Sequence, residues 1–194
     1  LYTSNTQRFI ELFRITPFLV VSDKHPDYFS TKFARNFAKQ QSFRYQHQRN
    51  GNIQWIQVQH HHAHIASCMA EHHLDEQVIG VALDGTGYGD DGKIWGGEFM
   101  TATLASYQRL YHFEYVPMPG GDKAAREPWR MALAYLFQAF GEQVNDLDLA
   151  FMDDKRPEDL KLILSMIRKR INSPLTSSCG RLFDAVSALL GLCL

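Results

Sequence analysis

Residues 60–64 read His-His-His-Ala-His, and this string constrains the chain more than any other. It follows a strand-like run at 53–59 and opens a helical stretch, in which positions four apart face the same way one turn from each other. His60 and His64 therefore share a face, while His61 and His62 are turned from it by about 100 and 200 degrees at ~3.6 residues per turn. Two imidazoles on one face form half of a metal site, so the fold has to bring a third ligand to that helix from another element. His61 and His62 are expected as supporting or substrate-contacting side chains. Cys68 and His72 continue the i, i+4 stripe and leave a second arrangement of sulfur and imidazole open. A helix that runs inward also uses cysteine simply as a small apolar residue.

The third ligand is expected from Asp84. Residues 78–83 form an apolar strand-like run that ends on this aspartate, where a lone carboxylate is costly unless a positive charge meets it. A cation held by His60 and His64 meets it. Two imidazoles and one carboxylate suit Zn(II) or Fe(II) better than Mg(II) or Ca(II), which take oxygen shells. The other reading keeps Asp84 as a turn residue bonded to backbone amides.

Gly85-Thr86-Gly87-Tyr88-Gly89-Asp90-Asp91-Gly92 follows. Its glycines let backbone amides approach a phosphate, whereas Asp90 and Asp91 repel one unless a cation lies between. The same string reads equally well as a plain hairpin loop. Gly96-Gly97, and Gly120-Gly121-Asp122 before a helix, are further points where a ligand can lie against bare backbone. Gly180 sits in the first turn of the last helix, where glycine is unfavourable and makes sense if something packs on it. Asp184, one turn on, is placed either to take ribose hydroxyls or to be solvated. No P-loop string and no Ser-His-Asp or Cys-His arrangement is present, so no covalent enzyme intermediate is expected.

With 194 residues, 45% of them hydrophobic, the chain can bury the core of one domain or two small ones. Twenty Lys and Arg against 21 Asp and Glu give a formal net charge of -1, which argues against a dedicated nucleic-acid binder. No window reaches the ~18 consecutive apolar residues of a membrane span. Cys68, Cys179 and Cys193 form no CxxC pair and the N-terminal residues lack a signal-peptide core, so a reducing cytoplasm is the expected setting. The chain begins at Leu1 and stops on an apolar run, and reads as a segment of a longer polypeptide.

The periodicity predicts a helix over 4–14 stopped by Pro17, a buried-type strand over 18–21, and a turn over 22–27 in which Pro26 keeps His25 out of helical geometry. A helix over 31–41, a surface loop over 42–52 and a strand over 53–59 follow. Beyond 78, strands over 78–83, 93–104 and 107–116 read as an antiparallel meander. A helix with Pro128 near its first turn and Gly141 past its end comes next, then one over 157–170. The last helix is capped by Thr176-Ser177-Ser178 and carries Leu182, Phe183, Val186, Leu189 and Leu190 as an apolar stripe. The sum is an α/β chain with an antiparallel component to its sheet.

Four long strings in one order, HHHAHIASCMAEH, ALDGTGYGDDGKIWGGEF, MPGGDKAAREPWRMALAYL and TSSCGRLFDAVSALLGL, with SDKHPDYFSTKFA upstream, resemble the C-terminal carbamoyltransferase domain of the HypF family of hydrogenase maturation proteins. The likeness covers nearly the whole chain. It implies an actin/sugar-kinase-like two-lobed fold, shared with the universal tRNA threonylcarbamoyl transferases and present here as a partial copy. Residues 1–77 correspond to the end of the first lobe with the metal-binding helix, and 78–194 to the start of the second lobe with a nucleotide-facing hairpin and helices.

By that likeness His60, His64 and Asp84 hold a divalent metal, Zn or Fe, and form the catalytic centre. Gly85, Thr86, Gly87 and Gly97 face the phosphate of ATP or carbamoyl-adenylate, and Gly180 with Asp184 faces the nucleoside. Gly120, Gly121 and Asp122 complete the expected cofactor-binding set. The implied reaction passes a carbamoyl group from carbamoyl-adenylate to the C-terminal cysteine of the partner protein HypE, on the way to the cyanide ligands of nickel-iron hydrogenase. Alternatives are an O-carbamoyltransferase, a threonylcarbamoyl transferase, which the neutral charge disfavours, and a non-catalytic segment that binds metal and nucleotide. Neither nucleic acid nor membrane is an expected partner.

Overall fold

The first helix stops at Leu12, short of Pro17, with Arg14 in the left-handed region at φ 51°, and the apolar residues after the proline extend into a strand. The computed structural model describes residues 1–45, 53–153 and 155–193, which group into two units, Leu1–His60 and His61–Leu194. The first unit holds α1 (Tyr2–Leu12), β1 (Leu19–Asp23), α2 (Phe29–Tyr45) and β2 (Gln54–Val58). β1 and β2 pair in parallel, with Leu19 opposite Gln54 and Asp23 opposite Val58. A parallel pair needs a crossover, and α2 supplies it, burying Ala34 and Ala38. Tyr2 of α1 meets Phe29 and Phe33 edge-on, at centroid separations of 5.6 and 5.1 Å. The loop expected over 42–52 is corrected at its start, because α2 continues to Tyr45; the rest of that loop lies outside the described residues.

α3 (His60–Glu71) begins on the last residue of the first unit. Its remainder joins the second unit because Ile65 and Met69 are buried with Ala82, Trp95, Met100 and Ala102. β3 (Val78–Tyr88), β4 (Ile94–Ala102) and β5 (Tyr107–His112) form the expected antiparallel meander. Two corrections apply to it. Residues 85–88, expected as loop, belong to β3. The third strand stops at His112, and the chain resumes pairing as β6 (Val116–Pro117) against β7 (Leu175–Thr176), which itself runs parallel to β4.

α4 (Asp122–Arg126), α5 (Trp129–Phe140), a 3-10 turn (Gly141–Asp146), α6 (Ala150–Asp153), α7 (Pro157–Lys169) and α8 (Cys179–Leu189) complete the unit. Gly141 ends α5 with φ of 59°, a backbone state that glycine reaches without steric cost. Met131 and Leu133 of α5 are fully buried with Ile163, Leu164 and Ile167 of α7 and Ala185 and Ala188 of α8. α8 thus buries its alanines, whose small side chains let it lie close to α5. The apolar stripe read from its sequence is turned outward, with Phe183 69% and Val186 42% exposed. Among the described residues no helix is long and apolar enough to cross a membrane.

One irregularity sets up the site. Leu83 pairs with Gly97 and Gly87 with Trp95, so residues 84–86 of β3 stand opposite Gly96 alone. Such a bulge bends the strand and re-aims its side chains. It is held closely, since a Cβ on Gly96 would lie 2.5 Å from the carbonyl oxygen of Asp84, whereas one on Gly85 would meet no atom within 4 Å. Gly96→Ala is expected to destabilise the chain by about 1–3 kcal/mol, because a backbone atom cannot turn aside. Gly85→Ala is expected to lie close to wild type, and urea midpoints of the two variants check the contrast.

Candidate functional site

β2 delivers the chain to α3, and α3 places His60 and His64 one turn apart. One ligand atom from each of His60, His64 and Asp84 lies within 4.8 Å of the others. Among the described residues this is the group of three or more His, Cys, Asp or Glu side chains that converges so; Cys68 on the same helix and His72 in the turn just past its end are exposed and do not join it. Two imidazoles and one carboxylate at this spacing are a donor set for Zn or Fe.

The bulge turns Asp84 toward α3. Its Oδ1 accepts from the backbone N–H of Gly85 at 2.6 Å, and its Oδ2 lies 3.6 Å from Nε2 of the fully buried His61. The turn reading of Asp84 and its convergence with His60 and His64 therefore both hold for one carboxylate. His61 backs Asp84, whereas His62 is engaged elsewhere: its Nε2 is 2.8 Å from the carbonyl oxygen of Thr103, and its ring lies against Tyr107. His60 Nδ1 is 2.7 Å from Oδ2 of Asp23, a partner that sequence reading left in a turn. His64 and Asp84 also line a groove of about 440 Å³, walled by Cys68, Ile79, Val81 and Leu83.

The glycines divide into two kinds. Gly85 has open space beside its Cα, and Thr86 next to it is exposed. Gly87 is buried. Gly97 and Gly180 instead permit close protein packing: a Cβ on Gly97 would sit 2.5 Å from the carbonyl oxygen of Ser177, and one on Gly180 would sit 2.9 Å from Cα of Gly85. The N–H groups of Gly120 and Gly121 donate to the carbonyls of Asn172 and Met118, which fixes the turn before α4 and leaves Asp122 exposed. Asp184 accepts from Nε of Arg181 at 2.6 Å. Gly97 and Gly180 are thus taken up by close packing and Asp184 by Arg181, whereas the space a Cβ would fill is open at Gly85 and Gly121.

Sequence reading missed the side chain that holds this junction together. Glu98 is fully buried in β4, and its Oε1 accepts from the N–H groups of Gly96 at 3.0 Å and Gly97 at 3.2 Å and from the hydroxyl of Ser177 at 2.5 Å. Arg109 donates to its Oε2 from Nε at 2.6 Å, and the same guanidinium lies over the Trp95 ring at 3.8 Å. Ser178 caps α8 by accepting from the N–H of Arg181, and it donates to the carbonyls of Asp84 and Gly85. The available signals were a carboxylate inside an apolar strand for Glu98 and the Asp23-Lys24-His25-Pro26 turn for Asp23.

Asp90 and Asp91, expected to repel phosphate, are tied to the hairpin itself. The Tyr107 hydroxyl donates to Asp90, and Asp91 accepts from Trp95 Nε1 at 2.8 Å and from the Tyr115 hydroxyl at 2.7 Å. Burial would raise the Asp91 pKa, but donors from Tyr115, the Lys93 backbone, Trp95 and the Lys93 side chain outweigh it and lower the pKa from 3.8 to about 2.

The family described as Carbamoyltransferase, Kae1-like domain, second subdomain matches residues 80–194, and the HypF Kae1-like domain matches residues 1–71. Carbamoyltransferase HypF2 of Cupriavidus necator is 45% identical over 97% of this chain and 21% of its own length. Carbamoyltransferase HypF of Synechocystis sp. is 38% identical over 94% and 24%. A crystal structure described as full-length HypF in the phosphate- and nucleotide-bound form matches with a TM-score of 0.84 and 41% identity, over 98% of this chain and 27% of that one. The chain therefore spans about a fifth to a quarter of the length of these relatives. The matches agree with a partial copy of a Kae1-like α/β fold.

Two measurements check the electrostatic framework. Glu98→Ala leaves the buried N–H groups of Gly96 and Gly97 and the buried Ser177 hydroxyl without their acceptor, and the partly buried Arg109 without this partner; it is expected to cost about 3–5 kcal/mol, read as a fall in the urea midpoint, with Glu98→Gln milder. Asp91 binds its proton more weakly when folded than when unfolded, so its stabilisation is complete above about pH 4 and is lost as pH falls toward about 2. Asp91→Asn is expected to lower the thermal midpoint at pH 7 and to flatten its decline over that acid window.

Proposed function

The chain belongs to the HypF family of carbamoyltransferases, and on that premise we propose that it forms the carbamoyl-transferring site of its protein. The donor is carbamoyl-adenylate, and the acceptor is the C-terminal cysteine thiol of a HypE-type partner, on the route to the cyanide ligands of nickel-iron hydrogenase. The observation that carries this reading is the convergence of His60, His64 and Asp84 within 4.8 Å, beside a bulge where the space a Cβ on Gly85 would fill is open. A solved HypF relative in a phosphate- and nucleotide-bound form supports a nucleotide as donor.

A divalent cation, Zn or Fe, held by His60, His64 and Asp84 would supply Lewis-acid polarisation of a carbonyl oxygen and neutralisation of phosphate charge. The remaining work falls to the chain. Gly85 N–H fixes one oxygen of Asp84, and the Ser178 hydroxyl holds the carbonyls of Asp84 and Gly85, so the site is oriented before substrate arrives. The thiolate sulfur of the acceptor attacks the carbamoyl carbon, the bond from that carbon to the phosphate oxygen breaks, and AMP leaves with the electron pair. The thiol proton passes to solvent. Because the nucleophile belongs to the partner, the chain supplies orientation and charge stabilisation rather than a nucleophile of its own.

The test combines the parent polypeptide, of which the chain reads as a segment, with ATP, carbamoyl phosphate and a peptide ending in cysteine, followed by mass spectrometry of the peptide and elemental analysis of the protein. The expected result is one carbamoyl group added to the thiol by wild type, with His64→Ala losing both stoichiometric metal and product. Undiminished metal in His64→Ala overturns the ligand assignment. An unmodified peptide with nucleotide still bound overturns the transferase reading in favour of a binding segment.

A further inference from the structure

Asp23 is the last residue of β1 and lies opposite Val58 in the parallel pair, which brings it level with the start of α3. Its Oδ2 is 2.7 Å from Nδ1 of His60, and the two side chains are 16% and 27% exposed. Resting on the metal reading above, we propose that Asp23 is a positioning residue for the cation: it holds the His60 ring through Nδ1, so that Nε2 is the nitrogen turned to the ion.

The frame around Asp23 is built for a fixed carboxylate. Its Oδ1 accepts from the N–H of His25 at 2.8 Å, leaving Oδ2 for the imidazole. Its carbonyl oxygen accepts from the Thr31 hydroxyl at 3.1 Å and from Gln57 Nε2 at 3.2 Å. The preceding Ser22 is buried, and its hydroxyl accepts from Trp55 Nε1 at 3.0 Å. Both carboxylate oxygens and the carbonyl are thus committed, and the carboxylate cannot swing without breaking the turn. An imidazole facing an anion at Nδ1 carries its proton there and presents the Nε2 lone pair, with greater basicity as a ligand. A purely local role for Asp23, closing the turn at His25, uses Oδ1 alone and gives no account of the contact to His60.

The probe is Co(II) alone, titrated into the full chain as wild type, Asp23→Ala, Asp23→Asn and His64→Ala, with visible absorption and metal-free thermal midpoints recorded for each. Asp23→Asn keeps the shape and the bond to His25, so it makes the deciding comparison if Asp23→Ala loosens the turn. Asp23→Ala is expected to weaken Co(II) binding by roughly 10- to 100-fold and to alter the visible bands. Asp23→Asn is expected to fall between it and wild type at an unchanged metal-free midpoint, and His64→Ala to lose the site. Wild-type affinity and spectrum in both Asp23 variants, with His64→Ala still disabled, overturns the positioning role and leaves the metal reading intact. Equal Co(II) binding by wild type and His64→Ala overturns the metal reading and the positioning role with it.

Discussion

A carboxylate with no exposed surface sits at the centre of the second unit, and its neighbourhood is arranged to satisfy it. Taking a charge out of water costs several kcal/mol unless donors replace the lost hydration. Glu98 finds them in two backbone amides, a serine hydroxyl and a guanidinium. Those donors come from β4 itself, from the residue after β7 and from β5. One buried ion thereby fixes how the meander meets the capped end of α8, and Ser178 extends the connection to the bulge that carries Asp84.

What could be read from the sequence was local. His60 and His64 lie one turn apart because any helix puts them there, and Asp84 is a ligand candidate because it closes an apolar strand. The bulge was not legible, since it exists only in the pairing of residues 84–86 with Gly96 on another strand. Asp23 escaped for the same reason: it reaches His60 because β1 and β2 run side by side, a relation that no periodicity within either strand records.

Glycine was the most ambiguous letter. A missing side chain serves a ligand and serves a neighbouring backbone equally well, and the sequence is the same in both cases. Gly85 is open on its free side, while Gly97 and Gly180 press against Ser177 and Gly85. α8 shows a related ambiguity. Its larger apolar residues make the stronger stripe, yet α5 is met by Ala185 and Ala188, because short side chains permit the closer helix approach. Burial followed shape at that interface more than hydrophobicity.

The clearances on either side of the bulge carry a dynamical consequence. Gly96 faces the carbonyl of Asp84 and Gly180 faces Cα of Gly85, so residues 84 and 85 are confined by main chain with no rotamer available to absorb a push. A small excursion of this segment has to be shared by the strand or by the beginning of α8. The candidate ligand Asp84 accordingly moves in concert with those two elements, and the stiffness of its surroundings comes from residues that contribute no side chain at all.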